Sequence, residues 1–270
     1  MLVTALPLAL FAQAAAYRPL PHFIANGKAD QTEGARILGE FYRAGIAGNY
    51  WLAFELRVMP RKGEERTLQG EMFGTRNEQG PLTRLEINGQ RWLIQGGPQP
   101  AAWCGANGRA VLGLTAGETL QPVAGTDLTL FDLQMPFLHW TDFIYEGVAR
   151  IRGRPSHSFI LYPPREFAAD RPELTGVRVL IDTQFQALVQ AEFLGTKGTA
   201  EKTISLLDLK KTGEQWIVKS IDLRNSLTRD KTRFTVTAAA LGLELPAEVF
   251  APGQLAQSFP PPPAEKIQHF

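Results

Sequence analysis

The sequence predicts a mainly β (α+β) protein built on one large, curved antiparallel sheet. Apolar and polar residues alternate with a period of two, most clearly in residues 231–239, as expected of half-buried strands. Loop-like segments short enough for hairpins separate the β-rich runs, and they lie at residues 182–186, 195–198, 211–213 and 226–230. Short connections indicate antiparallel neighbours. Residues 142–240 contain no recognisable catalytic motif, and such sheets more often hold a ligand than transform one.

Length and charge limit the function classes. The chain has 270 residues, 44% of them hydrophobic, which is enough for one large β-domain with a substantial core. Its 28 basic and 27 acidic residues give a net charge of +1, so the electrostatic footprint of a nucleic-acid-binding protein is missing. Arg150, Arg152 and Arg154 recur at strand spacing and could form a basic stripe for lipid headgroups or a partner. An ordinary solvated strand face is the more common explanation of such a pattern.

The first sixteen residues resemble a secretory signal peptide. They carry no charge, contain an apolar run over residues 2–11 and end in small residues, although a basic n-region is missing or atypical. A buried N-terminal helix is the alternative. No second apolar run approaches the ~20 residues of a membrane-spanning helix, so we expect an exported, soluble mature chain. Cys104 is the single cysteine, which excludes an internal disulfide and a lipidated cysteine after the signal-like segment, and favours a buried structural thiol.

The first predicted elements are a helix and a group of strands. Asp30 to Glu33 has the form of a capping box before an amphipathic helix at about 31–44. Asn88-Gly89 is a strong hairpin signal. Strands are predicted on either side of it, at residues 49–59, 67–76, 82–87 and 91–95. Residues 96–125 are rich in Gly, Ala and Pro and predict a cover dominated by loops.

Residues 126–140 supply much more apolar surface than a short connector requires. We predict a helix capped by Thr126 or Asp127 and bent or split by Pro136. Across the mouth of a curved sheet, this segment could be a lid over an apolar cavity, with Met135 and the aromatic residues adapting to acyl chains. Alternatively it fills the core. A plug and a lid have the same sequence signature, so both interpretations stay open.

Further strands follow, and then a proline-rich tail. The β-rich runs lie at residues 177–182, 187–194, 214–224 and 231–239, and the last of them places Thr232, Phe234, Val236 and Ala238 on one face. Residues 245–250 predict a short helical turn. Residues 260–263 are four prolines, so we expect an extended tail over 256–270 that adds little to the core, more often unstructured than a ligand for a partner's groove.

Catalytic chemistry has no clear place in this sequence. The four histidines show no metal-binding spacing, and no nucleophile elbow or phosphate loop occurs. His139 near Asp142, and His157 between two serines, are better explained as surface or structural histidines than as acid/base groups. Glu146, Asp182 and Asp222 could converge across strands, but carboxylates are expected on the wet side of a sheet. We therefore expect no catalytic residue, no metal site, no cofactor and no enzymatic activity.

A series of short motifs carries a family resemblance over about residues 30–255. They are Thr-Asp-Leu-Thr-Leu-Phe-Asp-Leu from Thr126, Phe-Ile-Tyr-Glu-Gly from Phe143, Val-Leu-Ile-Asp from Val179, Gln-Trp-Ile-Val-Lys-Ser-Ile-Asp from Gln215, Asp-Lys-Thr-Arg-Phe-Thr-Val from Asp230 and Leu-Pro-x-x-x-Phe from Leu245. With the preceding helix and strands, they resemble the outer-membrane lipoprotein-sorting proteins, the LolA-like superfamily.

This resemblance implies a half-open antiparallel β-barrel of about eleven strands, with helices covering the open, apolar side. It implies a non-enzymatic periplasmic carrier that binds acyl chains of lipoproteins, or another lipidic ligand, in an apolar cavity for outer-membrane sorting. The implied protein is a monomer, and its implied partners are membrane donor and acceptor proteins. Nucleic acid is not expected as a partner. A related branch suggests the alternative, an envelope-stress sensor or scaffold domain that binds a protein partner. The implied organisation is a signal peptide at 1–16, one binding domain at 17–255 and a tail at 256–270.

The candidate ligand-binding residues are the apolar side chains expected on the inner wall of the sheet and on the lid-like segment. They are Phe54, Leu56, Trp92, Leu128, Phe131, Met135, Phe137, Leu138, Trp140, Phe143, Tyr145, Phe193, Trp216 and Phe234.

Overall fold

The computed structural model describes residues 17–22, 29–106, 111–151 and 153–270. The signal-like residues 1–16 lie outside the described residues. The described residues contain four α-helices, namely α1 (Gln31–Arg43), α2 (Ala116–Thr119), α3 (Leu130–Gln134) and α4 (Arg165–Asp170), and four 3-10 helices, at Pro136–His139, Ala247–Phe250, Pro252–Gln254 and Ala264–Lys266.

The same residues form fourteen β-strands. These are β1 (Asn49–Met59), β2 (Arg66–Asn77), β3 (Gly80–Ile87), β4 (Gln90–Gln95), β5 (Ala101–Ala106), β6 (Leu112–Gly113), β7 (Phe143–Ile151), β8 (Arg154–Leu161), β9 (Gly176–Asp182), β10 (Leu188–Leu194), β11 (Ala200–Thr212), β12 (Gln215–Asn225), β13 (Lys231–Leu243) and β14 (Gln268–His269).

All fourteen strands belong to one antiparallel sheet that does not close. Its order is β6-β5-β4-β3-β2-β1-β13-β12-β11-β10-β9-β8-β7, and β14 pairs with β13 beside this path. The prediction of a mainly β, antiparallel protein is confirmed, and a half-open barrel fits this open order. The described sheet has more strands than the expected eleven or so. Hairpin turns join most neighbours, including the Asn88-Gly89 turn, whose two positive φ angles of 50° and 75° match a type I′ hairpin.

Residues 96–125 differ from the predicted loop cover, because they contain β5, β6 and α2. Strand β5 is built from small residues around Trp103 and Cys104 and pairs with β4, where Cys104 lies opposite Trp92. Its β-propensity is weak on the basis of composition. Pairing with an existing sheet edge overrides that propensity, as is common for strands.

The sheet has an inner and an outer face, each with its own apolar cluster. The inner face carries Leu52, Phe54 and Leu56 of β1, which belong to the main core together with residues of α1 and α3. The outer face carries Trp51 and a smaller cluster. Because side chains alternate strictly along β1, this strand contributes residues to both apolar clusters, one on each face of the sheet.

A bulge in β13 overturns part of the predicted face assignment. Ala53 of β1 pairs with Ala238, but the next residue, Phe54, pairs with Val236, so Thr237 is the extra residue. An extra residue reverses the alternation beyond it. Val236 remains in the main core, whereas Ala238 points to the outer face and belongs to the outer cluster. The prediction that Ala238 shares a face with Phe234 and Val236 was wrong for this reason.

Helix α1 begins and ends close to the predicted residues. Asp30 caps it by accepting hydrogen bonds from the backbone N–H groups of Thr32 and Glu33 at 2.9 and 3.4 Å, while Glu33 pairs with Arg36. Gly34 lets the helix approach β7 closely, because a Cβ atom at this position would lie 2.5 Å from the Cβ atom of Tyr145. The helix therefore packs directly on the inner face.

Residues 17–22 and most of the C-terminal segment lie on the outer face. Residues 17–22 cross β7 and β8, with the Tyr162 hydroxyl donating to the carbonyl of Pro19 at 2.8 Å. Residues 256–270, predicted to be an extended tail with little core, pack Phe259 and Ile267 into the outer cluster. The tail thus makes more tertiary contact than its composition predicts.

Candidate functional site

The inner face of the sheet is filled by residues 126–140, which we call the plug. Helix α3 and the following 3-10 helix lie in it, and its large apolar side chains belong to the main core with those of the sheet. Phe137 is completely buried, and Leu128, Leu130, Phe131 and Trp140 are nearly so. Whether this segment acts as a plug or as a lid was left open by the sequence. In this structure it occupies the interior.

Local sequence explains the shape of the plug. Thr129 caps α3 through a reciprocal capping box with Asp132, with N–O distances of 3.2 and 2.8 Å. The cap lies after the predicted Thr126 and Asp127 because the Thr126 hydroxyl bonds to the carbonyl of Val123 instead. Met135 has a left-handed φ of 46° and ends α3, and Pro136 begins the 3-10 helix. The prediction that Pro136 splits this segment is confirmed.

Five aromatic rings form the centre of the interior, and we call them the aromatic cluster: Phe131, Phe137, Trp140, Phe167 and Phe193. Phe131 lies 5.5 Å from Phe167 and 6.3 Å from Phe193, measured between ring centroids. Phe137 meets Phe193 edge to face at 5.5 Å. Trp140 lies 5.5 Å from Phe167. Three of these rings come from the plug, one from α4 and one from β10, so most ring contacts would be lost if the plug moved away.

Few polar contacts tether the plug to the sheet. The buried carboxylate of Asp132 forms an ion pair with Lys202 of β11. The side-chain amide of Gln134 donates to the carbonyls of Gln95 and Ala101 at 3.2 and 3.0 Å. At the start of the plug, the Thr232 hydroxyl donates to the Asp127 carboxylate at 3.2 Å. The backbone N–H of Asp127 also donates to the Thr232 hydroxyl at 3.2 Å. Apolar packing, which has no directional requirement, makes up most of the remaining contact.

We expect Lys202→Met to loosen the plug. Methionine keeps the length of the side chain but removes the cation, and an unpaired buried carboxylate is strongly unfavourable. The expected result is a lower free energy of unfolding, by about 2 to 4 kcal/mol, and faster hydrogen exchange in residues 129–140. Lys211→Met is the control, because Lys211 is exposed and its pair with Glu214 is exposed too. Equal exchange in both variants would contradict a tether at Lys202.

Most of the predicted site residues come together. Every candidate except Trp216 lies in the main core, with Met135 and Phe143 partly buried at its margin and the others buried. Trp216 lies on the other face of β12 from Ile217, is 53% exposed, and meets Phe185 edge to face at 5.7 Å. It therefore does not line the interior.

Sequence reasoning missed Phe167, which stands on α4 between charged residues after two prolines. A single aromatic residue in so short a helix gives no periodic signal. Ile37 and Leu38 of α1 also reach the main core. These two residues could have been predicted, because they lie on the apolar face of the predicted amphipathic helix.

Two of the open clefts in the described part of the chain lie outside the aromatic cluster. One, of about 380 Å³, lies between the end of α1, the β2–β3 turn and His139. The other, of about 370 Å³, lies between the β11–β12 turn and the end of β13. The centre of the interior itself is filled by the buried side chains of the plug.

The polar residues weighed as acid/base groups are separated and individually paired. His139 stacks on Tyr42 with centroids 4.7 Å apart, whereas Asp142 binds Arg18 at 2.6 Å. The Nδ1 atom of His157 lies 2.8 Å from the Tyr145 hydroxyl.

The three carboxylates that could have converged bind different arginines instead: Glu146 binds Arg178, Asp182 binds Arg154, and Asp222 binds Arg233. No group of His, Cys, Asp or Glu suited to a metal ion occurs among the residues that the structure describes. No helix in the described ranges is long and apolar enough to cross a membrane.

These titratable groups make stability fall in acid. Burial lowers the pKa of His157, and burial together with Arg76 lowers that of His139. The folded state then binds fewer protons than the unfolded state, so the free energy of unfolding decreases as pH falls below about 6.5. Burial alone would raise the pKa of Asp222, but Arg233 and Lys231 outweigh it and lower the pKa. That contribution is lost as pH falls below about 3.9.

We therefore expect urea unfolding to give less stability at pH 5 than at pH 7.5, and a further loss below pH 4. The second loss should be smaller in Asp222→Asn, which cannot bind the additional proton. An unchanged acid profile in this variant would contradict the assignment.

Comparison with known proteins identifies the fold family of this structure. No curated protein matches the chain in sequence. A putative outer membrane lipoprotein-sorting protein domain from Vibrio parahaemolyticus is similar in structure, with a TM-score of 0.74 and 16% identity over 84% of this chain and 100% of that one. A LolA superfamily protein from Nitrosomonas europaea has a TM-score of 0.61 and 15% identity over 80% and 96% of the two chains.

A DUF1329 family protein from Desulfovibrio piger has a TM-score of 0.72 and 11% identity over 83% and 98% of the two chains. In sequence, the model of a family described as "Uncharacterized protein" matches residues 107–257, more than half of the chain. The chain therefore belongs to that family, and its fold is that of the LolA-like superfamily.

Proposed function

We propose that this protein is a non-enzymatic, periplasmic carrier that binds the acyl chains of lipoproteins, or another lipidic ligand, in the interior that the plug now fills. The binding unit is residues 17–255, exported by means of residues 1–16, and helices α1, α3 and α4 form the movable cover over the open side of the barrel. The observation that carries the proposal is the aromatic cluster, because three of its five rings belong to a segment with few polar tethers.

The inner wall has the chemistry that an acyl chain requires. Behind the plug, Phe54 of β1 lies 4.7 Å from Phe234 of β13, and Val177, Val179 and Ala191 continue the apolar surface across β9 and β10. Such a wall makes no directional demand on its ligand. It can exchange one set of apolar contacts, from the plug, for another, from an acyl chain.

Energetics favour moderate affinity. Each buried methylene contributes roughly 0.8 kcal/mol, so a chain of about fourteen carbons gains on the order of 10 kcal/mol on leaving water. Displacing the plug removes contacts of similar kind and offsets much of this gain. A ligand bound through such an exchange can be released to a membrane or an acceptor protein without a cofactor, since the plug stabilises the empty state.

Recovery of the native ligand tests the proposal. The protein is purified from its host envelope without detergent, extracted with organic solvent and analysed by mass spectrometry. We expect an acylated species at a substantial fraction of one equivalent. The Phe54→Ala variant, purified in parallel, should retain less because its wall is altered. Consistent absence of lipid, or recovery of a stoichiometric protein partner in its place, would favour the scaffold alternative over the carrier.

A further inference from the structure

Strands β12 and β13 are paired over only part of their length. Ser220 to Arg224 of β12 pair with Lys231 to Thr235 of β13. Beyond this point the strands separate, although β13 continues to pair with β1 and β12 continues to pair with β11. The separation begins next to the bulge at Thr237, where an extra residue increases the local twist. The sheet therefore contains a slot between residues 215–219 and residues 236–243.

The chain places its own residues 267–270 in this slot. Gln268 and His269 form β14 and pair with Ala239 and Ala238. The backbone N–H of Phe270 donates to the carbonyl of Thr237 at 2.9 Å. Ile267 packs into the outer cluster and Phe270 against the main core, so this short segment passes from one face of the sheet to the other.

Two cations surround the aromatic end of the segment. The Nζ atoms of Lys219 and Lys210 lie 4.8 and 5.5 Å from the centroid of the Phe270 ring. Lys219 also donates to the carbonyl of Val236. The carboxylates of Asp208 and Glu55 interact electrostatically with Lys219 at longer range. This environment suits an aromatic side chain, and it would also stabilise a carboxylate close to that side chain.

The present occupant is shorter than the slot. Gln268 and His269 are exposed, and β14 pairs with only two residues of β13. Residues 240–243 have no strand partner on this edge within the described part of the chain. Residues 264–266, which would continue the pairing, turn away as a 3-10 helix instead. The cleft of about 370 Å³ lies here, lined by Gln215, Leu241 and Gln268 among others.

By contrast, the earlier part of the tail is firmly held. The buried Arg84 donates to the carbonyls of Val249, Gln254, Leu255 and Gln257. Arg91, equally buried, donates to the carbonyl of Ala256 at 2.9 Å. Residues 267–270 can therefore leave the slot without loss of this anchor.

We propose that the slot between β12 and β13 binds an extended segment of a partner polypeptide that presents an aromatic residue next to a carboxylate, and that residues 267–270 occupy it until the partner arrives. The partner pairs antiparallel to β13 and, unlike residues 264–266, stays extended along residues 240–243. Strand addition of this kind takes its affinity from main-chain hydrogen bonds and its specificity from side-chain pockets. The proposal does not depend on lipid binding.

The test uses the full-length protein and a fluorescent synthetic peptide, Val-Thr-Val-Thr-Gln-His-Phe-Glu, measured by fluorescence anisotropy. In this peptide, an extended run precedes the Gln-His-Phe of residues 268–270, and a glutamate follows. A variant with Ile267→Ala and Phe270→Ala weakens the internal occupant, and we expect it to bind the peptide at least ~10-fold more tightly than the original protein. The matched control is Glu265→Ala, because this side chain is exposed in the same segment, and it should behave like the original protein.

Two further measurements complete the test. Adding Lys219→Glu to the weakened variant should abolish peptide binding. In the original protein, peptide should accelerate hydrogen exchange at residues 268–270, a readout that does not depend on the folding of any variant. The proposal is overturned if the weakened variant binds no better than the control, if Lys219→Glu has no effect, or if exchange at residues 268–270 stays unchanged when the peptide is bound.

Discussion

Replacing Phe131 by alanine is expected to destabilise the protein and, at the same time, to tighten its binding of an acyl ligand. Phe131 belongs to α3 of the plug, and its ring contacts are with Phe137, Phe167 and Phe193. Truncating a buried phenylalanine costs about 3 to 5 kcal/mol. In a carrier, the substitution destabilises the closed state, in which the plug fills the interior, more than the open state, from which the plug has moved away. The open state therefore becomes more populated. Apparent affinity rises with the competent fraction, and we expect a gain on the order of tenfold or more.

The measurement is titration with a fluorescent fatty acid, together with urea unfolding of the same samples. Phe54→Ala is the matched control, since Phe54 is equally buried but belongs to the wall of β1. Its truncation should lower stability by a similar amount and weaken ligand binding, because the wall contacts the ligand in the open state. If both variants lost affinity alike, residues 126–140 would be ordinary core and not a displaceable plug.

Arg84→Met is expected to have the largest effect outside the interior. Arg84 is 2% exposed and supplies hydrogen bonds to four backbone carbonyls between Val249 and Gln257. A buried acceptor left without a donor costs about 1 to 3 kcal/mol, and water will satisfy some of them. We expect the free energy of unfolding to fall by about 3 to 5 kcal/mol, and limited proteolysis to cut first between residues 250 and 260.

Arg57→Met is the control for this variant. Arg57 pairs with Glu65 on the surface, where both side chains are more than half exposed. Exposed ion pairs contribute about 0 to 1 kcal/mol. Similar stability and similar cleavage of the two variants would show that Arg84 does not anchor the tail.

The strands and their inner face could be predicted from the sequence because they depend on local periodicity. In β1, apolar residues at every second position predicted both the strand and its buried side, and the Asn88-Gly89 turn fixed a neighbouring hairpin. The same applies to most of the site. The plug was found from its apolar content, and the position of Pro136 predicted that its helix would be interrupted.

What escaped prediction depends on contacts between distant residues. The bulge at Thr237 reverses the face of Ala238, but nothing in the local sequence marks an extra residue. Strand β5 exists because β4 offers it an edge. Trp216 was assigned to the interior, although it alternates with the buried Ile217 and therefore lies on the opposite face of β12.

The tail is the clearest example of a long-range effect. Its four prolines predict an extended conformation, but two arginines more than 150 residues earlier in the chain hold the segment just before them. A buried arginine cannot be recognised from composition, since arginine is mostly exposed. The slot between β12 and β13 has a similar origin, because it follows from a bulge and a pairing boundary that appear only in the folded sheet.

The most direct test of the carrier is to measure whether the plug moves when a ligand binds. Spin labels at Leu133→Cys in the plug and Leu207→Cys on β11, in a Cys104→Ala background, report the distance between plug and wall by pulsed electron paramagnetic resonance. On saturation with a long-chain fatty acid, we expect the distance distribution to shift by several ångströms, on the scale of one helical turn. An unchanged distribution in a sample with one bound fatty acid per chain would contradict displacement of the plug.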